Sequence, residues 1–583
     1  MLRSSRTLAS LVRVLLLSTP ALSAVAALTT TGCKDESQPE YWVDKLSEPA
    51  WQANAVKRLE QFFDDTFTRT NKDLTAPDMK ALADKLVDPL TKLYVTNYDS
   101  LDDKTRESVI KLVAAFRDKR GEPALKKAFE EFAKSGKNGE DVKWAARAAG
   151  EMKLDSLSDP MIQAFDKLKA SSKDGANVYR DLNEAMLKHP SPSWSGILKT
   201  KLQDDIVQPT NSKDPTAVET FRNQLFWQTT SAQLLGEIKD ESAVEPLLKV
   251  MLDPAKADVQ ATAALALVKI GKPAAARAVK LLTDGDPDLA AYAAARSQKA
   301  SGSKDAPTNK PHIQTAALVL GVLGRQESLD PMITTLKGTK DAATRAIIAR
   351  EIAKIPATPA SKQAFRDAFE QIALDAQIPP GNNALQTLTE SAGSFYDPDF
   401  IPWLLERAEK TKATGEEKEE KTLLQSTATI TAVKLMRADQ VGLVGDAVTK
   451  WGTQIEKDAY KNGSALVKSC ADRVPCYLAQ IVKPENQEKT LQSTGIKAGY
   501  MIGVFGNDKA RSDLIDQLGA IDNAAVRFVA AQTIDYLSPK GSKDAADALD
   551  KIIDKNAKTA DKDKMAGDAP LKQVMYRVRA RAE

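Results

Sequence analysis

Residues 231–251 read SAQLLGEIKDESAVEPLLKVM, and the way this stretch folds decides the architecture. The same register stands earlier at 145–165, AARAAGEMKLDSLSDPMIQAF, and returns at 316–336, AALVLGVLGRQESLDPMITTL. Each copy sets a glycine (Gly150, Gly236, Gly321) ahead of a polar break. An acid–proline pair follows: Asp159–Pro160, Glu245–Pro246 and Asp330–Pro331. Just upstream, Leu225, Thr229, Ala232, Leu235 and Ile238 recur at three- and four-residue steps, which is one face of a helix, with Glu237 on the opposite side. Ser242 and Glu245 have capping-box spacing, and Pro246 suits a first helical turn, where backbone donors have few partners. The acid before each proline places negative charge at the positive end of that second helix.

A helix pair of this kind cannot bury its own apolar face, but stacked copies can. The three prolines lie 86 and 85 residues apart, or two units of roughly 43 residues per step, within the period of HEAT-like arrays. Divergent units fill the gaps at 107–132 and 261–282. Residues 229–252 and 312–336 resemble HEAT repeats of the short bacterial lyase type, whose pattern is Ala-x-x-Leu-Gly-x-Ile-x-Asp-x-x-Ala-Val-x-Pro-Leu-Leu. The resemblance implies an all-α solenoid of stacked antiparallel helix pairs.

The organisation expected along the chain follows from composition. Residues 41–296 and 312–554 are two HEAT-like solenoids, joined by a flexible Ser/Gly/Pro/Lys linker at 297–311 that leaves two separable pieces. Residues 568–583 form a capping helix with Asp568 as cap and Pro570 in its first turn. Arg577, Arg579 and Arg581 lie there on a solvated face.

The front of the chain is an address. A basic start, MLRSSRTLASLVR, precedes an apolar run too short to span a membrane, which ends in LTTTGC. This resembles a bacterial lipoprotein signal, which implies removal of 1–32, lipid attachment at Cys33 and a short tether over 33–40. An ordinary secretory signal cut after Ala24-Val25-Ala26 is the alternative. Cysteine arithmetic bears on the choice: with Cys33 lipidated, Cys470 and Cys476 remain as a pair for one structural disulfide in an oxidising compartment. The sorting rules of that family disfavour Asp mainly directly after the Cys, so with Lys34 there and Asp35 next the resemblance implies the outer membrane, facing the periplasm.

Charge and motifs narrow the function. Without residues 1–32 the chain holds 79 basic and 79 acidic residues, which argues against nucleic acid as a partner. Only His189 and His312 occur, each beside a proline in an expected loop, so no metal or cofactor set is readable. Neither a phosphate-cradling loop nor a nucleophile elbow appears, so no enzyme is expected. Of seven tryptophans, Trp144, Trp227 and Trp403 fall on helix faces and read as core. Trp194, in HPSPSWSG, is the candidate interface residue. The expectation is a membrane-anchored scaffold binding another, unidentified protein through second helices on a concave face. The alternative is an enzyme accessory or a cofactor- or chromophore-handling protein.

Overall fold

The computed structural model describes residues 35–169, 175–302, 310–379, 381–415, 417–487, 494–559 and 562–583. Among them the chain is α-helical, with short 3-10 turns and one two-residue antiparallel pair, Gln377–Ile378 with Asn382–Asn383. The all-α solenoid expectation holds.

The three quoted stretches share one build. A first helix (Gly139–Met152, Pro215–Ile238, Pro311–Leu323) ends on a left-handed residue, Lys153, Lys239 or Gly324. A 3-10 turn follows, and the second helix (Ser158–Lys167, Val244–Leu252, Leu329–Gly338) carries its proline at the third position. No intrahelical acceptor is available to an N–H there, so proline costs nothing. The start differs in one detail. Asp240, not Ser242, is the cap: its carboxylate accepts from Ser242 N and caps the 3-10 turn, so the second helix begins only at Val244.

The repeated glycines are sites of close approach between successive first helices. A Cβ on Gly150 would lie 2.8 Å from Ala185 Cα, and one on Gly236 2.7 Å from Ala266 Cα. One on Gly321 would lie 2.8 Å from Glu351 Cβ. Leu235 and Leu248 are fully buried within the same slice.

From the N-terminus the first helices form an open arm. Gln52–Arg69, Asp103–Phe116, Gly139–Met152, Gly175–Lys188 and Pro215–Ile238 each pack on the next. The array then bends round and closes. Ala257–Ile270, Pro311–Leu323, Ala342–Ile352, Ala384–Ser391, Lys418–Leu435, Thr494–Phe505, Ala524–Tyr536 and Lys562–Ala582 pack in sequence, and the last returns to the first.

Closure corrects two boundaries. The stretch 297–311 does not divide two solenoids, because helix Pro287–Ser301 runs into it and the Pro311 helix packs directly on the helices before it. Its alanine-rich run, AAYAAARSQKAS, is capped by Asp286 and ends at Gly302 (φ 65°), so helix propensity outweighs the linker-like composition. Residues 303–309 lie outside the described residues. The terminal helix starts at Lys562 rather than 568, with Pro570 inside it and therefore no start at Asp568. At the other end the first helix opens at Pro39, inside the expected tether.

Candidate functional site: the interior of the ring

The seam that closes the ring is made of arginines and helix ends. The last carbonyls of a helix lack intrahelical donors and carry partial negative charge. Arg325 Nη1 donates to Ala580 O at 2.8 Å, and Arg581 Nη1 donates back to Gly324 O at 3.3 Å. Arg577 Nη2 reaches Lys354 O at 3.0 Å. Arg577 and Arg581 both pair with the Asp535 carboxylate, at 3.0 and 2.5 Å. Gly324, left-handed at φ 63°, leaves the space that the Arg577 guanidinium fills. These two arginines are buried, not solvated as expected, because one face of the terminal helix is pressed against three helix ends. Arg579 remains near the surface and pairs with Asp547 and Asp550.

The seam continues to the end of the chain. Lys239 Nζ lies 2.7 Å from the Glu583 carboxylate, and Lys272 Nζ donates to Glu583 O at 3.2 Å. Lys269 stands 4.1 Å over the Tyr576 ring and 2.6 Å from Glu237. Burial lowers the Lys269 pKa, and the Glu237 carboxylate opposes that shift.

Across the ring, Tyr396 follows the short turn Ala392–Phe395 in left-handed conformation (φ 47°), which throws its side chain inward. Its ring lies 5.4 Å from that of Tyr500 and 4.4 Å from that of Tyr536, and its hydroxyl is 3.2 Å from Thr533 Oγ1. Burial pushes the Tyr396 hydroxyl far above its ordinary pKa and that of Tyr500 up to about 12. Gly503 admits the Tyr396 ring, since a Cβ there would overlap it.

Between seam and tyrosines is a cavity of about 300 Å³ lined by Tyr396, Tyr500, Phe528, Gln532, Arg577 and Arg581, among others. Phe528 is 45% exposed at its lining. First helices and the turns after them form this wall, so second helices do not line the inside of the ring as expected. First helices crowd inward because their glycines and alanines permit close approach. The cavity combines fixed positive charge, aromatic faces and amides, which is equipment for binding.

The residues singled out from sequence lie elsewhere. Cys33 falls outside the described residues. Trp194 is not an interface: it closes the 3-10 turn Pro192–Trp194, is fully buried, and donates its indole N–H to Ser158 O at 2.9 Å. The turn drives the ring back onto the preceding pair. Trp144, Trp227 and Trp403 are half-buried against the core. Cys470 ends one helix, Cys476 lies in the first turn of the next, and the two are disulfide-bonded with Cα atoms 5.5 Å apart. His189 Nε2 is 2.7 Å from Asp155, and His312 Nε2 is 2.6 Å from Asp284. His312 is not in a loop but buried in the first turn of its helix, which Pro311 starts. Among the described residues no group of three or more His, Cys, Asp or Glu stands together to hold a metal ion. Among them, too, no helix is long and apolar enough to cross a membrane.

Sequence reading missed Tyr396 and the seam. The one available signal was the four-residue step from Arg577 to Arg581, which puts both on one helix face.

Residues 228–298 match the family model of HEAT repeats. No curated protein matches the chain. One similar solved chain comes from work on the phosphorylation switch controlling the interaction between cadherin and beta-catenin. It shares 11% identity over 93% of this chain and 99% of that one, with a TM-score of 0.25. The HEAT match spans the junction of arm and ring, and stacked helix pairs continue beyond it among the described residues.

Proposed function

We propose that this protein is a lipid-anchored scaffold of the cell envelope that binds another protein along its repeat array without catalysis of its own. The open arm carries the reading. It exposes a long stacked surface whose pairs depend only on their neighbours, so a partner can lie along it without disturbing the ring. The arm is also the part nearest the anchor, because its first helix opens at Pro39, six residues after Cys33. Partly exposed Trp51 and Val95 belong to this arm and offer apolar contact points. Lys34 and Asp35 behind the anchor favour the outer membrane, facing the periplasm. A neutral charge balance favours protein over nucleic acid as the partner.

Two measurements test this reading. Cys33→Ala is expected to abolish lipid attachment and leave unprocessed precursor; normally processed soluble protein would instead establish an ordinary secretory signal. Crosslinking in intact cells, with mass spectrometry, is expected to map a recurring partner onto residues 39–238. Crosslinks confined to the ring would move the interface there and end the arm reading. The ring cavity favours a second reading, a ligand-handling protein on the same scaffold.

A further inference from the structure

The cavity lining sets three cations, Lys354, Arg577 and Arg581, against one carboxylate, Asp535. Arg577 and Arg581 share one carboxylate, Asp535. Arg350 and Lys354 likewise share one, the fully buried Glu351. Arg325 stands at the same junction, and its partner Glu327 projects into solvent. Helix-end carbonyls satisfy the Nη hydrogens of the seam arginines but cancel no full charge. The Nε–H groups of Arg577 and Arg581 are buried with no acceptor. Burial lowers the Arg581 pKa, with Asp535 opposing, so the site already strains against its own charge. Buried charge in excess is costly unless something pairs with it.

The other wall is aromatic. Tyr396 leans on both Tyr500 and Tyr536, and Phe528 completes the lining with an exposed face. Such faces take a flat ring in offset or edge contact. A cavity of about 300 Å³ is at the small end for ligand sites. It has room for one ring and one acid group.

We propose that this cavity binds a small aromatic carboxylate, its acid group paired with the Arg577/Arg581 side and its ring laid on the Tyr500/Tyr536/Phe528 side. The carboxylate supplies the charge that Asp535 cannot supply twice. Such a ligand also bridges the terminal helix to the tyrosine wall, so binding and ring closure favour each other. The inference goes beyond the scaffold reading and does not depend on the anchor or on a protein partner.

Calorimetry on the full mature chain, with N-acetyl-tyrosine as probe, tests it. One-to-one binding is expected, weakened at least ~10-fold when the acid is replaced by its neutral amide, the scale of one charge-assisted contact. Acetate, lacking the ring, is expected not to compete. Arg577→Gln is expected to cost ~10-fold or more, and Tyr500→Ala several-fold. Because Arg577→Gln also loosens the seam, Lys354→Gln serves as a second variant. That ammonium is 40% exposed, and its loss is expected to weaken binding about threefold and flatten the salt dependence. A peptide ending in tyrosine separates two sources of the same chemistry: equal binding points to a chain terminus, exclusion to a free acid. Equal affinity for acid and amide, competition by acetate, or no effect of either charge variant would overturn the proposal.

Discussion

Arm and ring are built from the same helix pair, yet they hold together differently. In the arm, contacts stay short in sequence: Lys111 to Glu60, Tyr94 to Asp141 and Arg147 to Asp181 span 51, 47 and 34 residues. In the ring, Arg325 meets Ala580, Arg577 meets Lys354, and Tyr396 meets Thr533, across 255, 223 and 137 residues. A linear array gains stability pair by pair, so its ends fray and its parts melt separately. Closing the array joins its two ends, and every first helix in the circle then depends on the seam. The unit sets local geometry; the returning helix sets cooperativity.

Removing the terminal helix by ending the chain at residue 561 is therefore expected to have the largest effect. Asp535 would lose both guanidinium partners, a cost on the order of 3–5 kcal/mol for a broken buried pair, before any lost apolar contact is counted. Hydrogen exchange should show lowered protection throughout the circle from 257 onward, with 52–152 unchanged. Equal loss in the arm, or none in the ring, would break the distinction. A cut near Ser303 follows the same logic: the C-terminal fragment would lack the Ala257 helix against which its last helix closes.

Next in size are buried leucines on first helices, Leu182 in the arm and Leu320 in the ring, both fully buried. Each Leu→Ala change is expected to cost ~2–5 kcal/mol. The sum should be similar but its distribution different. Leu182→Ala should lower protection only in the pairs beside it, whereas Leu320→Ala should lower it around the ring.

A smaller contrast comes from glycine. A Cβ at Gly503 would overlap the immobile Tyr396 ring, while one at Gly150 would press on Ala185 Cα. Gly503→Ala is expected to destabilise by about 1–3 kcal/mol through overpacking. Gly150→Ala should cost less, since the arm can open slightly at one joint. Denaturant midpoints of the two variants decide it.

What could be read beforehand follows the same division. Gly236, Pro246 and the stripe through Leu235 lie within one local unit, so their periodicity reveals the pair and its stacking. Ring closure leaves no such trace, because Arg577 finds its acceptors at Lys354 and Asp535 in helices that are remote in sequence. Tyr396 is equally silent: its inward throw depends on a left-handed residue that no spacing signals. Trp194 misled because proline and serine imply exposure, while a 3-10 turn can drive an aromatic ring inward. Of the cavity, only the four-residue step from Arg577 to Arg581 was legible. Nearly all of the repeat was.

Glu237 tests the joint between arm and ring. Its place opposite the Leu235 stripe suggests that Glu237→Ala is nearly silent, as at most surface positions. The structure assigns it a partner instead: Lys269, 6% exposed, which Glu237 meets at 2.6 Å beside the Tyr576 ring. Removing the carboxylate leaves a buried ammonium unpaired, so Glu237→Ala is expected to cost about 1–3 kcal/mol at neutral pH. The sign of its pH dependence follows from Lys269. Burial already lowers that pKa below the ordinary 10.5, and loss of Glu237 lowers it further. Between the folded value and 10.5 the unfolded chain binds more protons, so stability rises with pH there. The deficit of Glu237→Ala should thus be full below the folded pKa and shrink as pH climbs towards 10.5. Adding Lys269→Met to Glu237→Ala should restore most of the loss, because no buried charge then remains to be paired. A double variant as unstable as the single one would show that the joint depends on packing alone.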